Sequence, residues 1–187
     1  MEVLKKNLVE SFVFSKICIT HPQPFTDLSH SNILLGQRDQ FFSFLNPFLL
    51  KTSLKTGLLA LETLLKKRYR VIFIADIRDK VLFTKFYYAC KKKKIFVLKK
   101  SDVSLGFLTT RRLKNIVIVT LFLTPLRTEL IQQEAALIGT PLISFSSLLT
   151  NKNSSLLQVG GNYTLLTIQN LIIALLTVCL EKKHGST

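Results

Sequence analysis

Three short basic runs carry the most pronounced chemistry in the sequence: Lys66, Lys67, Arg68 and Arg70; Lys91, Lys92, Lys93 and Lys94; and Arg111, Arg112 and Lys114. Clustered ammonium and guanidinium groups suit phosphate oxygens, and an arginine fork engages two of them at once. Lysine and arginine also favour helix C-termini, where the backbone dipole is negative, by about 0.3–1 kcal/mol each. That preference accounts for one or two cations per helix. It does not account for four consecutive lysines, which repel one another unless a polyanion neutralises them. The chain as a whole has 26 Lys and Arg against 11 Asp and Glu, a formal charge of +15. The expected partner is a polyanion: RNA, DNA or an anionic membrane.

Catalytic chemistry is thin by comparison. Asp76, Arg78, Asp79, Lys99, Lys100, Asp102 and the stretch Thr120 to Thr124 offer polar groups, but Ala75 is followed by DIRDK, with no glycine. A nucleotide site wants glycine there, so that backbone amides can close on a phosphate, and neither G-x-G-x-x-G nor a P-loop occurs anywhere. His21, His30 and His184 fall in expected loops or the tail, and the first two do not pair with a cysteine at zinc spacing. No G-x-S-x-G elbow activates a serine. Glu129 and Glu134 lie five residues apart on an expected helix, not on one face, and read as solvated surface groups. Glu62, a lone acid in an apolar helix, reads as a salt-bridge partner. No enzyme, cofactor, metal or small-molecule substrate is expected.

The elements that position the basic runs alternate in texture. Leu58 to Leu65 reads as helix and Val71 to Ala75 as a β-branched strand. Asp79 to Cys90 is an expected helix closed by Lys91–Lys94, and Ile95 to Leu98 a strand. The loop Lys99 to Arg112 leads to a strand at Ile116 to Thr120. Thr128 to Ile138 is a helix ending at Gly139, the expected cap residue, and Leu142 to Phe145 is a strand after Pro141. Asn162 is positioned to cap a last helix, about Thr164 to Leu180. Short apolar strands alternating with helices predict a parallel sheet covered on both faces, a doubly wound α/β structure. In such a sheet all strands point one way. The basic runs, each preceding a strand, should gather as a cationic ridge along one edge, and small-molecule sites belong to the opposite edge.

At 187 residues, with 48% hydrophobic, the chain is long enough for one core and too apolar to be disordered. Residues 1–57, broken by Pro22, Pro24 and Pro47, read as an irregular arm, 58–181 as the α/β domain and 182–187 as a basic tail. Cys18, Cys90 and Cys179 lie far apart and are odd in number, which suits a reducing compartment. The most apolar stretch, Leu165 to Leu180, carries Gln169 and Asn170 and falls short of the ~20 residues a membrane span needs. Within it Leu165, Ile168, Leu171, Ile172, Leu175 and Leu176 recur at helical spacing and should be buried against the sheet. The first residues, MEVLKKNLVESFVFSK, have neither the apolar run of a secretory signal nor the composition of a mitochondrial presequence.

From about Ile33 to Leu180 the order of short motifs resembles the ribosomal S-two family, the second protein of the small ribosomal subunit. Ile33-Leu34-Leu35-Gly36 is similar to that family's opening strand and its His-Phe-Gly-His signature, of which Gly36 is kept. Asn46-Pro47-Phe48-Leu49 is similar to its Pro-Tyr-Ile segment. Leu61-Glu62-Thr63-Leu64 resembles Asp-Leu-Glu-Lys-Thr-Leu, and Val71 to Ala75 stands where the family has Leu-Phe-Val-Gly-Thr-Lys. The segment Ser104 to Thr110, with Gly106 and Thr109, is similar to Trp-Leu-Gly-Gly-Met-Leu-Thr-Asn. Ile116 to Thr120 resembles Leu-Val-Phe-Val-Val-Asp. Glu134-Ala135 with Gly139-Thr140-Pro141-Leu142-Ile143 resembles Glu-Ala followed by Leu-Gly-Ile-Pro-Val-Val. Gly161-Asn162 is similar to the Pro-Gly-Asn before the last helix.

The resemblance implies a three-layer flavodoxin-like fold that binds rRNA without catalysis, with small-subunit rRNA and neighbouring small-subunit ribosomal proteins as partners. Bacterial members insert a helical hairpin after their Leu-Thr-Asn motif, whereas here only residues 111–114 separate Thr110 from Asn115. The acidic pair after Gly-Asn is replaced by Tyr163-Thr164, and the tryptophan and one glycine near Leu105 are lost. This erosion, in a composition rich in Phe, Leu, Ile, Lys and Ser, suggests an organellar protein of the mitochondrial matrix, with plastid or bacterial cytoplasm as the alternatives. The competing reading is a basic α/β small-ligand-binding protein or enzyme.

Overall fold

The computed structural model describes residues 19–20, 34–38, 42–110, 115–122, 125–146, 157–161 and 163–180. Two strands define its centre. In β4 (Arg70–Ala75) every residue after Arg70 is buried, and in β6 (Ile116–Leu121) every residue is. Successive side chains of a strand point to opposite faces, so strands buried at every position need cover on both sides. With β5 (Phe96–Lys99), β7 (Leu142–Ser146) and β8 (Leu157–Gly160) they form one parallel sheet in the order β5-β4-β6-β7-β8. This is the flavodoxin-like order, with β4 first in sequence and its neighbours wound outward to either side.

Helices cover both faces and make three layers, as expected. On one face α1 (Pro47–Lys66), α2 (Lys80–Lys92) and α5 (Leu165–Leu180) contribute Leu54, Leu61, Phe86, Leu171 and Leu175 to a core with Val71, Phe73, Val119 and Phe145. On the other, α3 (Phe107–Thr110) and α4 (Pro125–Ile138) bring Leu108, Ile131 and Ala135 onto Ile72, Ile74, Ile118 and Leu142. Each fully buried Leu, Ile or Phe contributes about 1.5–3 kcal/mol.

The helix expected from Leu58 begins at Pro47, so the boundary drawn between residues 57 and 58 falls inside it. The Asn46 side chain accepts the Phe48 N–H at 3.0 Å, and Pro47 at the helix start has no N–H to leave unpaired. Gly57 lies inside this helix, where it closes on the sheet. A Cβ there would lie 3.1 Å from Cγ2 of Val159 on β8. The segment before the helix is also more regular than an arm. β1 (Ile19–Thr20), β2 (Leu34–Arg38) and β3 (Phe42–Leu45) form an antiparallel sheet in the order β1-β3-β2.

β8 went unpredicted because its four residues, LQVG, lie in a Ser- and Asn-rich stretch. The last helix starts at Leu165, with the Thr164 hydroxyl accepting the Thr167 N–H at 3.4 Å; the expected cap, Asn162, lies outside the described residues. Leu171, Ile172 and Leu175 are buried and Ile168 and Leu176 partly so. Leu165 is 52% exposed, contrary to expectation, because it sits in the first turn beyond the edge of the core. No helix of the described residues is long and apolar enough to cross a membrane.

Candidate nucleic-acid interface

The two described basic runs are built by the same turn. At the end of α1 the Tyr69 N–H donates to the Leu64 carbonyl at 3.1 Å and the Arg68 N–H to that of Leu65 at 3.0 Å, with Arg68 at φ +65°. At the end of α2 the Ile95 N–H donates to Cys90 at 3.1 Å and the Lys94 N–H to Lys91 at 3.0 Å, with Lys94 at φ +57°. The end of α4 repeats the pattern with glycine. The Thr140 N–H donates to Ala135 at 2.9 Å, and the left-handed residue is Gly139, φ +70°. This Schellman turn favours glycine at its left-handed position, where a side chain costs about 1–2 kcal/mol. Two of three such turns hold a cation there.

The turns meet at the amino edge of the sheet. β4 and β5 are neighbours, with Ile72 opposite Phe96, so Arg70 and Lys94 stand two residues before that pair. Neighbouring strands lie about 4.8 Å apart. The Arg70 N–H donates to the Asn115 carbonyl at 2.8 Å, which brings the residue after Lys114 to the same edge. Arg111, Arg112 and Lys114 themselves lie outside the described residues. Lys66, Lys67, Arg68, Arg70, Lys91, Lys92, Lys93 and Lys94 are all exposed. Lys66 pairs with Glu62 at 3.0 Å, the role expected of that acid. Among the described residues none of the other seven is paired with a carboxylate. Two like charges about 5 Å apart repel by about 1 kcal/mol even in water, as much as a helix C-terminus returns for each.

The carboxyl edge is occupied by its own residues. Asp76 pairs with Lys100 at 2.9 Å, and Asp79 caps α2 by accepting the Val81 and Leu82 N–H groups at 2.8 and 3.2 Å. Asp102 accepts the Lys99 N–H at 3.3 Å and the Ser101 hydroxyl at 2.9 Å, while Arg78 is exposed. Thr120 is buried within β6. Beyond β6, Phe122 sets its ring edge-on to Tyr163, centroids 4.9 Å apart, and the Tyr163 hydroxyl donates to the Val159 carbonyl at 2.6 Å. Burial pushes the Tyr163 phenol well above its ordinary value. Ile77, Phe122 and Tyr163 pack onto the core here. A small recess beside Lys100, Ser104 and Glu134 has room for about one water and no more.

Glu134 departs from its expected solvated role. Its two carboxylate oxygens accept the Gly106 N–H at 2.6 Å and the Leu108 N–H at 3.0 Å, tying α4 to the start of α3. Gly106 takes φ +79°, and the Thr109 hydroxyl donates to its carbonyl at 3.0 Å. Of the other motif positions, Gly36 pairs with Phe44 between β2 and β3, the Pro141 carbonyl accepts the Ile118 N–H at 3.0 Å, and Gly161 is buried after β8. No protein-family model matches the chain, and no curated protein matches it.

Proposed function

We propose that this chain is a structural constituent of a small ribosomal subunit, binding rRNA through the ridge at the amino edge of its sheet and supporting translation in a mitochondrial ribosome. The observation that carries the reading is the ridge itself. Arg68 and Lys94 hold left-handed positions that glycine would fill without strain, and the exposed Lys67, Lys91, Lys92 and Lys93 around them have no carboxylate partner among the described residues. Such an array gains most from a chain of phosphates, which it contacts without regard to base identity. The resemblance to the ribosomal S-two family supplies the particular RNA and the neighbouring small-subunit proteins as partners. Arg111, Arg112 and Lys114 precede Asn115 in the sequence, and Asn115 lies at the same edge. A small-ligand binder would use the carboxyl edge, where Asp76 is already paired and Phe122 and Tyr163 pack together.

Sedimentation of the native chain from an organelle lysate tests the proposal. Co-migration with the small subunit, abolished by ribonuclease, is expected. A free species near 21.3 kDa with affinity for nucleotides would contradict it.

A further inference from the structure

The outer face of α2 carries a second chemistry that the ridge does not use. Val81, Lys85, Tyr88 and Lys92 follow one another at helical spacing along one line and are all exposed. Tyr88 is 58% exposed and Val81 64%, and no Asp or Glu occurs between Lys80 and Lys92. The tyrosine is held by a ring ladder that starts at the margin of the core. Phe83, partly buried, stacks on Tyr87 at 6.3 Å, and Tyr87 meets Tyr88 edge-on at 5.9 Å. Lys99 Nζ lies 5.1 Å from the centroid of the Phe83 ring. The stripe runs without interruption into Lys93 and Lys94 of the ridge.

A single exposed aromatic ring needs no explanation. A ring fixed by other rings, between lysines and with no acid near it on the helix, has the composition of a surface that stacks bases while cations follow the backbone. Lys85 and Lys92 stand about 10 Å apart along the axis, at 1.5 Å per residue, with Tyr88 between them. We propose that the outer face of α2 binds an unpaired stretch of RNA, with a base stacked on Tyr88 and Lys85 and Lys92 on the flanking phosphates. The inference rests on the rRNA-binding reading and adds to it that the RNA at this face is single-stranded.

The test measures binding of the full chain to an unstructured RNA oligonucleotide and to an RNA duplex of equal length, at one salt concentration. Tyr88→Leu should weaken single-strand binding about tenfold and leave duplex binding unchanged. Tyr88→Phe, which keeps the ring, should retain the single-strand affinity. Position 88 is exposed, and unchanged thermal unfolding of the two variants confirms the fold. Equal single-strand affinity for the wild type, Tyr88→Leu and Tyr88→Phe, with RNA still bound, would overturn the stacking proposal and leave the ridge standing. A wild-type chain that binds neither RNA would overturn both.

Discussion

Glu134 on α4 holds the backbone of Gly106 across the layer, its carboxylate accepting the Gly106 N–H at 2.6 Å and the Leu108 N–H at 3.0 Å. One side chain thereby satisfies two donors at the start of α3, which is too short to hold its position alone. Hydrogen bonds to a charged group contribute about 1.5–3 kcal/mol each. Glu134→Ala should therefore lower the unfolding free energy by about 2–3 kcal/mol, and Glu134→Gln, which keeps one acceptor, by less. Urea titration of the variants checks the order; equal stability of all three would sink the assignment.

The left-handed cations make a two-sided prediction. Arg68→Gly and Lys94→Gly each remove an unfavourable backbone conformation, so each should leave stability unchanged or raise it by up to about 1 kcal/mol. Both should weaken RNA binding. Thermal unfolding and RNA titration on the same samples should move in opposite directions. A loss of stability in both variants would show that the side chains are structural.

Two positions on α5 should respond differently to charge. Leu175 is fully buried, and Leu175→Asp places an unpaired carboxylate in the core at a cost of several kcal/mol, enough to unfold a domain of ordinary stability. Leu165→Asp, at the exposed first turn, should fold normally and places an acid at a helix N-terminus. Circular dichroism of the two proteins distinguishes them.

Alkaline pH should loosen the fold. Burial, with Cys179 adding to it, pushes the Cys90 thiol from 9.0 up to about 12. Burial raises the Tyr163 phenol as well. Both groups are held neutral when folded and ionise more readily when unfolded. The stability they carry is fully present below pH 9 and is lost as pH rises from 9 towards 12. In a Cys18→Ser background, iodoacetamide at pH 8 should label Cys90 only after denaturation. Rapid labelling at Cys90 in the native protein would contradict the buried, neutral thiol.

What was legible in the sequence is the alternation of apolar strands with basic helix ends, because both signals are local. Val71 to Ala75 reads as a covered strand from its β-branched run, and Lys91 to Lys94 as the close of a helix. That is enough to put the ridge on one edge. Long-range relations were illegible. The close approach at Gly57 is set by Val159, on a strand a hundred residues away. Leu157–Gly160 becomes a strand by pairing with β7, not by its own composition. Glu134 reveals its partner only once α3 and α4 are packed together. The Tyr88 face was missed for a different reason: its residues are unremarkable singly, and only exposure along one helical line joins them.

The salt dependence of rRNA binding tests the ridge most directly. Each phosphate contact contributes about 0.7–0.9 to the slope of log affinity against log salt concentration. Replacing Lys91, Lys92, Lys93 and Lys94 together by glutamine should lower that slope by several units, at unchanged helix content. A slope equal to the wild type's would mean that the run is a solvated helix end and would contradict the account.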